Sequence, residues 1–135
     1  RPDKPAFVAR YYETIHPNER AESQLDNFKH PEDHERDWLT KYRVQMKYKG
    51  FINALVSTMY NYNYDGRTSN KLLHATHKPV LLIWGRDDER VSFSFTDSIR
   101  NLLKPEFFPV DDAGHFANVD QPGIINARIL TFLEE

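Results

Sequence analysis

Pro79-Val80-Leu81-Leu82-Ile83-Trp84-Gly85-Arg86-Asp87-Asp88 opens a stretch that closes with Asp111-Asp112-Ala113-Gly114-His115. Val80 to Trp84 is a short apolar run with the length and β-branched content of a buried strand. Gly85 breaks the run, and a carboxylate cluster follows. Phe95, Ile99, Leu102 and Leu103 then recur with helical spacing. A second apolar run, Phe107 to Val110, leads into another carboxylate pair, a glycine and a histidine. The order is strand, acidic loop, helix, strand, histidine loop.

That order has a geometric consequence. A strand–helix–strand unit of this length forms a parallel pair with a right-handed crossover. Both loops then leave from the carboxyl ends of the strands, about 5 Å apart if the strands are neighbours. Asp88 and His115 can therefore meet over one edge of a sheet, where open α/β sheets bind ligands. A carboxylate beside an imidazole fixes the tautomer of the ring and stabilises the imidazolium, as a general base requires.

Working outward, residues 71–78 read as a short helix or turn, and residues 61–70 as a turn-rich loop. Phe51, Leu55, Val56, Met59 and Tyr60 give an amphipathic helix after Gly50. Trp38, Leu39, Tyr42 and Met46 give another, opened by Pro31 as first helical residue with Glu32, Asp33 and Glu35 in the first turn. Residues 10–30 suit one or two short helices, with apolar positions at Tyr12, Ile15, Leu25 and Phe28 and a break at His16-Pro17. Residues 1–9, with Pro2 and Pro5, read as an extended lead-in. Beyond His115, Gln121-Pro122-Gly123 precedes a last helix with apolar positions Ile125, Ile129, Phe132 and Leu133. Residues 1–76 thus read as helical and residues 77–135 as α/β. Two strands are too few for a stable doubly wound sheet, and the apolar strand 80–84 suits the middle of a larger one. Its open edge would allow pairing with a second copy, as a homo-oligomer.

The composition, 39% hydrophobic and 28% charged over 135 residues, suits one small globular domain. A net charge of −2 gives no reason to expect nucleic acid or an anionic membrane as partner. Residues 1–76 carry 12 basic and 10 acidic side chains, and residues 77–135 carry 6 and 10, so the acidic surplus lies with the proposed site. With no cysteine there is neither a disulfide framework nor thiolate chemistry. No apolar run is long enough to span a membrane and no signal peptide is visible, so the expected location is cytoplasmic. The chain begins at Arg1, which suggests an upstream portion.

Residues 79–91, Pro-Val-Leu-Leu-Ile-Trp-Gly-Arg-Asp-Asp-Glu-Arg-Val, resemble the penultimate strand and acid loop of α/β-hydrolases. Asp111 to Pro122, with Gly114-His115 followed by Asp120 and Pro122, resembles the final loop of that family. The segments Tyr48 to Phe51 and Ala54 to Thr58 resemble the cap-to-core connection of its lipase- and esterase-like members. The likeness is specific over 79–135, moderate over 46–78 and weak before that. It implies the C-terminal part of an α/β-hydrolase fold, residues 77–135, preceded by a helical cap or lid, residues 1–76. It also implies that Asp88 is the catalytic acid and His115 the catalytic base, with a small ester-like substrate and no cofactor. Ser92 stands where the pattern has a proline. The Gly-x-Ser-x-Gly nucleophile elbow is absent from the chain, so the nucleophile, whether Ser, Asp or Cys, is expected upstream. The other reading is a catalytically inactive fragment acting as a binding module.

Other chemistry-bearing residues have simpler readings. Asp87 suits the surface, and Asp111 or Asp112 could cap a turn. His30 and His34 could share a helix face as metal ligands, but Pro31 places His30 before the helix and no third ligand is apparent. His74 and His77 read as structural. Ser57 and Ser92 lack the strand–turn setting of an activated nucleophile. Tyr60 to Tyr64 could line an acyl pocket, though packing of a cap on the core is the simpler reading. Trp38 and Trp84 read as core residues.

Overall fold

The computed structural model describes residues 17–134. The lead-in at 1–9 and the positions Tyr12, Ile15 and His16 lie outside the described residues. The described residues divide into two compact units, one of residues 17–25 and 32–64, the other of residues 26–31 and 65–134.

In the first unit, α1 is Pro17–Glu22, α2 is Pro31–Met46 and α3 is Phe51–Asn61, with Pro31 itself in the second unit. Pro31 opens α2 because its missing N–H would be an orphan there, and Glu32 and Asp33 face the positive end of the helix dipole. Between α2 and α3 the chain reverses at Gly50, whose φ of +89° suits a residue without a side chain. Tyr42 of α2 and Phe51 of α3 meet edge to face at 5.9 Å. Leu39 and Val56 are buried, but Trp38 is only half-buried, short of the core position expected for it.

In the second unit, α4 is Arg67–Ala75, β1 is Leu81–Gly85, α5 is Thr96–Leu103, β2 is Glu106–Val110, α6 is Ala117–Asp120 and α7 is Pro122–Glu134. Among the described residues β1 and β2 form a two-stranded parallel sheet, with Leu81 opposite Glu106 and Gly85 opposite Val110. The strand–helix–strand reading holds. The Glu106 N–H donates to the Val80 carbonyl and the Arg86 N–H to the Val110 carbonyl. Residues 106, 108 and 110 therefore face β1, and Pro109 turns its missing N–H to the outer edge of β2, where a proline is tolerated. On β1, residues 81, 83 and 85 direct their backbone groups to an edge with no strand partner among the described residues.

Val110, Ala113, Ala117 and Ile125 form a small buried cluster, with Ile83 and Phe108 packed against it. This cluster lies under the histidine loop. Several sequence expectations need correction here. The strand side chains 81–84 and Trp84 are half-buried rather than buried. Phe95 lies in a 3-10 turn, Phe93–Phe95, and is 58% exposed. On α7 only Ile125 is buried, while Ile129 and Leu133 are exposed. A two-stranded sheet is too narrow to cover the apolar faces beside it, which accounts for the strand and α7 positions; Phe95 departs because it precedes α5, whose first residue is Thr96.

The expected loop at 61–70 is also shorter, because α4 starts at Arg67. Asp65 explains the early start. Its carboxylate accepts the Arg67 backbone N–H at 3.1 Å and the guanidinium at 2.8 and 2.6 Å. An orphan donor of the first turn is thereby satisfied. The hydrogen bond from the Arg67 side chain, the largest influence, lowers the Asp65 carboxyl from its ordinary 3.8 to about 2. A lowered folded-state value favours the charged form, so this support is present above pH 3.8 and is lost as pH falls through about 2. A carbon-13 titration of the Asp65 carboxyl should show its midpoint at about 2; an ordinary carboxylate midpoint would contradict the Arg67 pairing.

Candidate active site

The acid loop begins where β1 ends. Gly85 is the last residue of that strand, and a Cβ built on it would lie 2.2 Å from the Gly114 carbonyl oxygen and 2.3 Å from that of Ala113. These are backbone atoms, so only glycine fits. Two hydrogen bonds secure the approach: the Arg86 N–H donates to the Val110 carbonyl at 2.9 Å and the Asp87 N–H to the Ala113 carbonyl at 3.0 Å. The acid loop and the histidine loop are thus joined backbone to backbone at the carboxyl edge of the sheet. On the far side, the left-handed Asp112 (φ +54°) turns the chain from β2 into the histidine loop, a conformation that a short polar side chain tolerates.

This arrangement brings Asp88 and His115 together. His115 Nδ1 and Asp88 Oδ2 lie 2.9 Å apart. The Asp88 side chain is 4% exposed and that of His115 is 36% exposed. The carboxylate is therefore sheltered, and the imidazole reaches solvent. Asp88 Oδ1 accepts the backbone N–H groups of Arg90 at 2.9 Å and Val91 at 2.8 Å. Two amides hold one oxygen and leave the other for the ring, so the buried charge is well satisfied. The Val91 carbonyl in turn accepts the Trp84 indole N–H at 3.2 Å, tying the loop to β1.

The chemistry follows from the donors. An ionised carboxylate only accepts hydrogen bonds, so the Nδ1 of a neutral His115 must carry the proton. That tautomer leaves Nε2 with a free lone pair. An imidazole so oriented, backed by a carboxylate that stabilises its cation, has the chemistry of a general base.

The remaining candidates have other partners. Asp87 is an exposed residue paired with Lys29 at 3.4 Å, and Asp111 pairs with Arg86 at 2.6 Å. Asp112 Oδ1 lies 2.7 Å from His30 Nε2. His74 Nδ1 lies 3.2 Å from the Leu103 carbonyl oxygen. Ser57 is an exposed helix residue that accepts from Asn61, and Ser92 accepts the Ser94 N–H at the start of a 3-10 turn. Tyr62 and Tyr64 are exposed and stack edge to face on each other.

Two features escaped the sequence reading. Asp120 Oδ2 accepts the Gly114 N–H at 2.7 Å. Residues 26–31 belong to the same compact unit as the histidine loop, and Phe28 meets Phe116 edge to face at 5.3 Å. The position of Asp120 after Gly114-His115 was a visible signal for the first. Nothing local marks residues 26–31, which join the loop only through tertiary contact.

Comparison with known proteins finds a similarity to epoxide hydrolase 4 of Homo sapiens, 33% identical over 64 residues. The match covers 46% of this chain and 18% of that relative's length. No family model matches the chain, and no solved structure matches it. The partial identity indicates a distant relationship to a hydrolase, and the two parallel strands among helices are compatible with part of an α/β fold.

The geometry at Asp88 makes a specific outcome testable. In Asp88→Asn the Arg90 and Val91 amides still require an acceptor, so the amide oxygen should face them and the NH₂ should face His115. An NH₂ group donates, which forces the His115 proton onto Nε2. Nitrogen-15 spectra of the ring should show the Nδ1–H tautomer in the native protein and the Nε2–H tautomer in the variant; an unchanged tautomer would refute this arrangement.

Proposed function

We propose that this chain is the C-terminal part of an α/β-hydrolase-type enzyme, with Asp88 as the orienting acid and His115 as the general base. The observation that carries the reading is the 2.9 Å contact between a sheltered carboxylate and a solvent-reaching imidazole at the carboxyl edge of two parallel strands. The nucleophile lies outside this chain. Residues 1–76 are read as the helical cap and residues 77–135 as the core portion, with residues 26–31 and 65–76 packed in the compact unit of the core.

Two substrate classes fit the same pair. With a serine nucleophile, Nε2 of His115 removes the hydroxyl proton, and the substrate is a carboxylic ester. With an aspartate nucleophile, the carboxylate attacks an epoxide carbon, the ring C–O bond breaks and its oxygen takes up a proton from solvent to become a hydroxyl. His115 then takes a proton from the water that hydrolyses the resulting ester, which regenerates the carboxylate and releases a diol. The similarity to a human epoxide hydrolase favours the second class. The absence of a Gly-x-Ser-x-Gly elbow from this sequence favours one further reading, a non-catalytic binding module.

Expression of the whole open reading frame that encodes this chain, assayed on aryl epoxides and on p-nitrophenyl esters, separates these readings. Turnover of one class is expected, with Asp88→Asn lowering kcat by about 10,000-fold and His115→Gln by a similar factor. Full activity in either variant, or no turnover of either class, would overturn the proposal. The 135-residue chain alone should take no label from a fluorophosphonate probe; a stoichiometric serine adduct would place a nucleophile where none is expected.

A further inference from the structure

The His115 main chain is gripped on both sides. On the N-terminal side, the Gly114 N–H donates to Asp120 Oδ2 at 2.7 Å. On the C-terminal side, the Phe116 N–H donates to the Asn27 carbonyl at 3.0 Å. The same Asp120 oxygen accepts the Lys29 backbone N–H at 3.1 Å. One carboxylate oxygen thus binds the loop that carries His115 and a strap from far upstream in the sequence.

The strap lies directly on the loop. A Cβ on Gly114 would stand 2.9 Å from the Asn27 carbonyl oxygen, 3.0 Å from the Lys29 nitrogen and 3.1 Å from the Phe28 carbonyl carbon. Phe28, 6% exposed, seals the contact through its edge-to-face packing on Phe116. Two ion pairs and a hydrogen bond fasten the strap at its margins: Lys29 with Asp87, Asp26 with Arg90 at 3.0 Å, and His30 with Asp112. Two of these reach the acid loop and one reaches the approach to the histidine. Residues 26–31 therefore bridge the two loops that supply Asp88 and His115.

We propose that Asp120 is a positioning residue, holding the Gly114–His115 turn against the strap Asn27–Lys29 so that the His115 ring stays on Asp88. The inference rests on the reading of His115 as the base. Its physical content is separate from that reading. With the amides on either side of His115 bonded, its backbone has little freedom, and the ring needs only the Asp88 bond to be fixed. Without Asp120, the Gly114 amide and the Lys29 amide lose their common acceptor, and the turn can lift from the strap. A charged acceptor makes these two bonds stronger than neutral ones.

The test compares Asp120→Ala and Asp120→Asn in the full chain. Alanine removes both bonds. Asparagine can place its carbonyl oxygen where Oδ2 stands and keep both, at reduced strength. In Asp120→Ala the single Nδ1–H tautomer of His115 should give way to a tautomer mixture, and Gly114 amide exchange should speed up by about tenfold or more. Asp120→Asn should restore most of both signals. A protein that loses stability in Asp120→Ala yet keeps the native tautomer and Gly114 protection would overturn the proposal and leave Asp120 a purely structural acid. If Asp120→Ala does not fold, the unmodified protein decides: the Lys29, Gly114 and Phe116 amides should exchange through one shared opening, and unrelated rates would overturn the inference. A native protein without the Nδ1–H signature would instead overturn the Asp88–His115 pairing, so the two failures are distinguishable.

Discussion

The backbone contact between Gly85 and the Ala113–Gly114 carbonyls underlies the site. Two adjacent parallel strands bring their ends close, but ordinary side chains would keep the following loops apart. A hydrogen in place of a side chain at residue 85 lets the histidine loop rest on the end of β1. The Arg86 and Asp87 amides then complete the junction. From there the placement of functional groups is short-range. Asp88 follows Gly85 by three residues and is held by two amides of its own loop. His115 follows the contact by a single residue. The pair is therefore positioned by main-chain geometry.

Much of this was legible in the sequence because it is local. The apolar run before Gly85, the helical spacing of Ile99, Leu102 and Leu103, and the run into Val110 required only periodicity to read as a parallel crossover. Juxtaposition of Asp88 and His115 followed from that topology. The role of Gly85 was only half visible: it marks the end of a strand, but its close approach to Gly114 depends on the register of β1 against β2. The early start of α4 was hidden because Asp65-Gly66-Arg67 looks like a turn until the Arg67 side chain folds back on Asp65. The strap at 26–31 was invisible for a different reason. Its hydrogen bonds to Phe116 and Asp120 run through its own main chain, and its approach to Gly114 is main chain against main chain, so side-chain identity there leaves little trace.

The apolar surfaces show the other side of the same architecture. Ile124, Leu130 and Leu133 on α7 stay largely exposed, as does Leu72 on α4. β1 keeps one edge without a strand partner among the described residues, while Pro109 spoils the outer edge of β2 for further pairing. The sheet is thus open on one side and blocked on the other. That asymmetry agrees with the proposal that β1 belongs inside a larger sheet.

The most direct test of the Gly85 contact is a pair of substitutions measured by denaturant unfolding, with the His115 tautomer read in parallel. Gly123 lies in α7 and has nothing within 4 Å of a built Cβ, so Gly123→Ala should leave the tautomer unchanged and gain up to about 1 kcal/mol. Gly85→Ala forces a methyl group into backbone oxygens and should cost about 3 kcal/mol or more, with loss of the Nδ1–H form of His115. A Gly85→Ala protein of native stability that keeps the Asp88–His115 hydrogen bond would contradict the central claim that this contact builds the site.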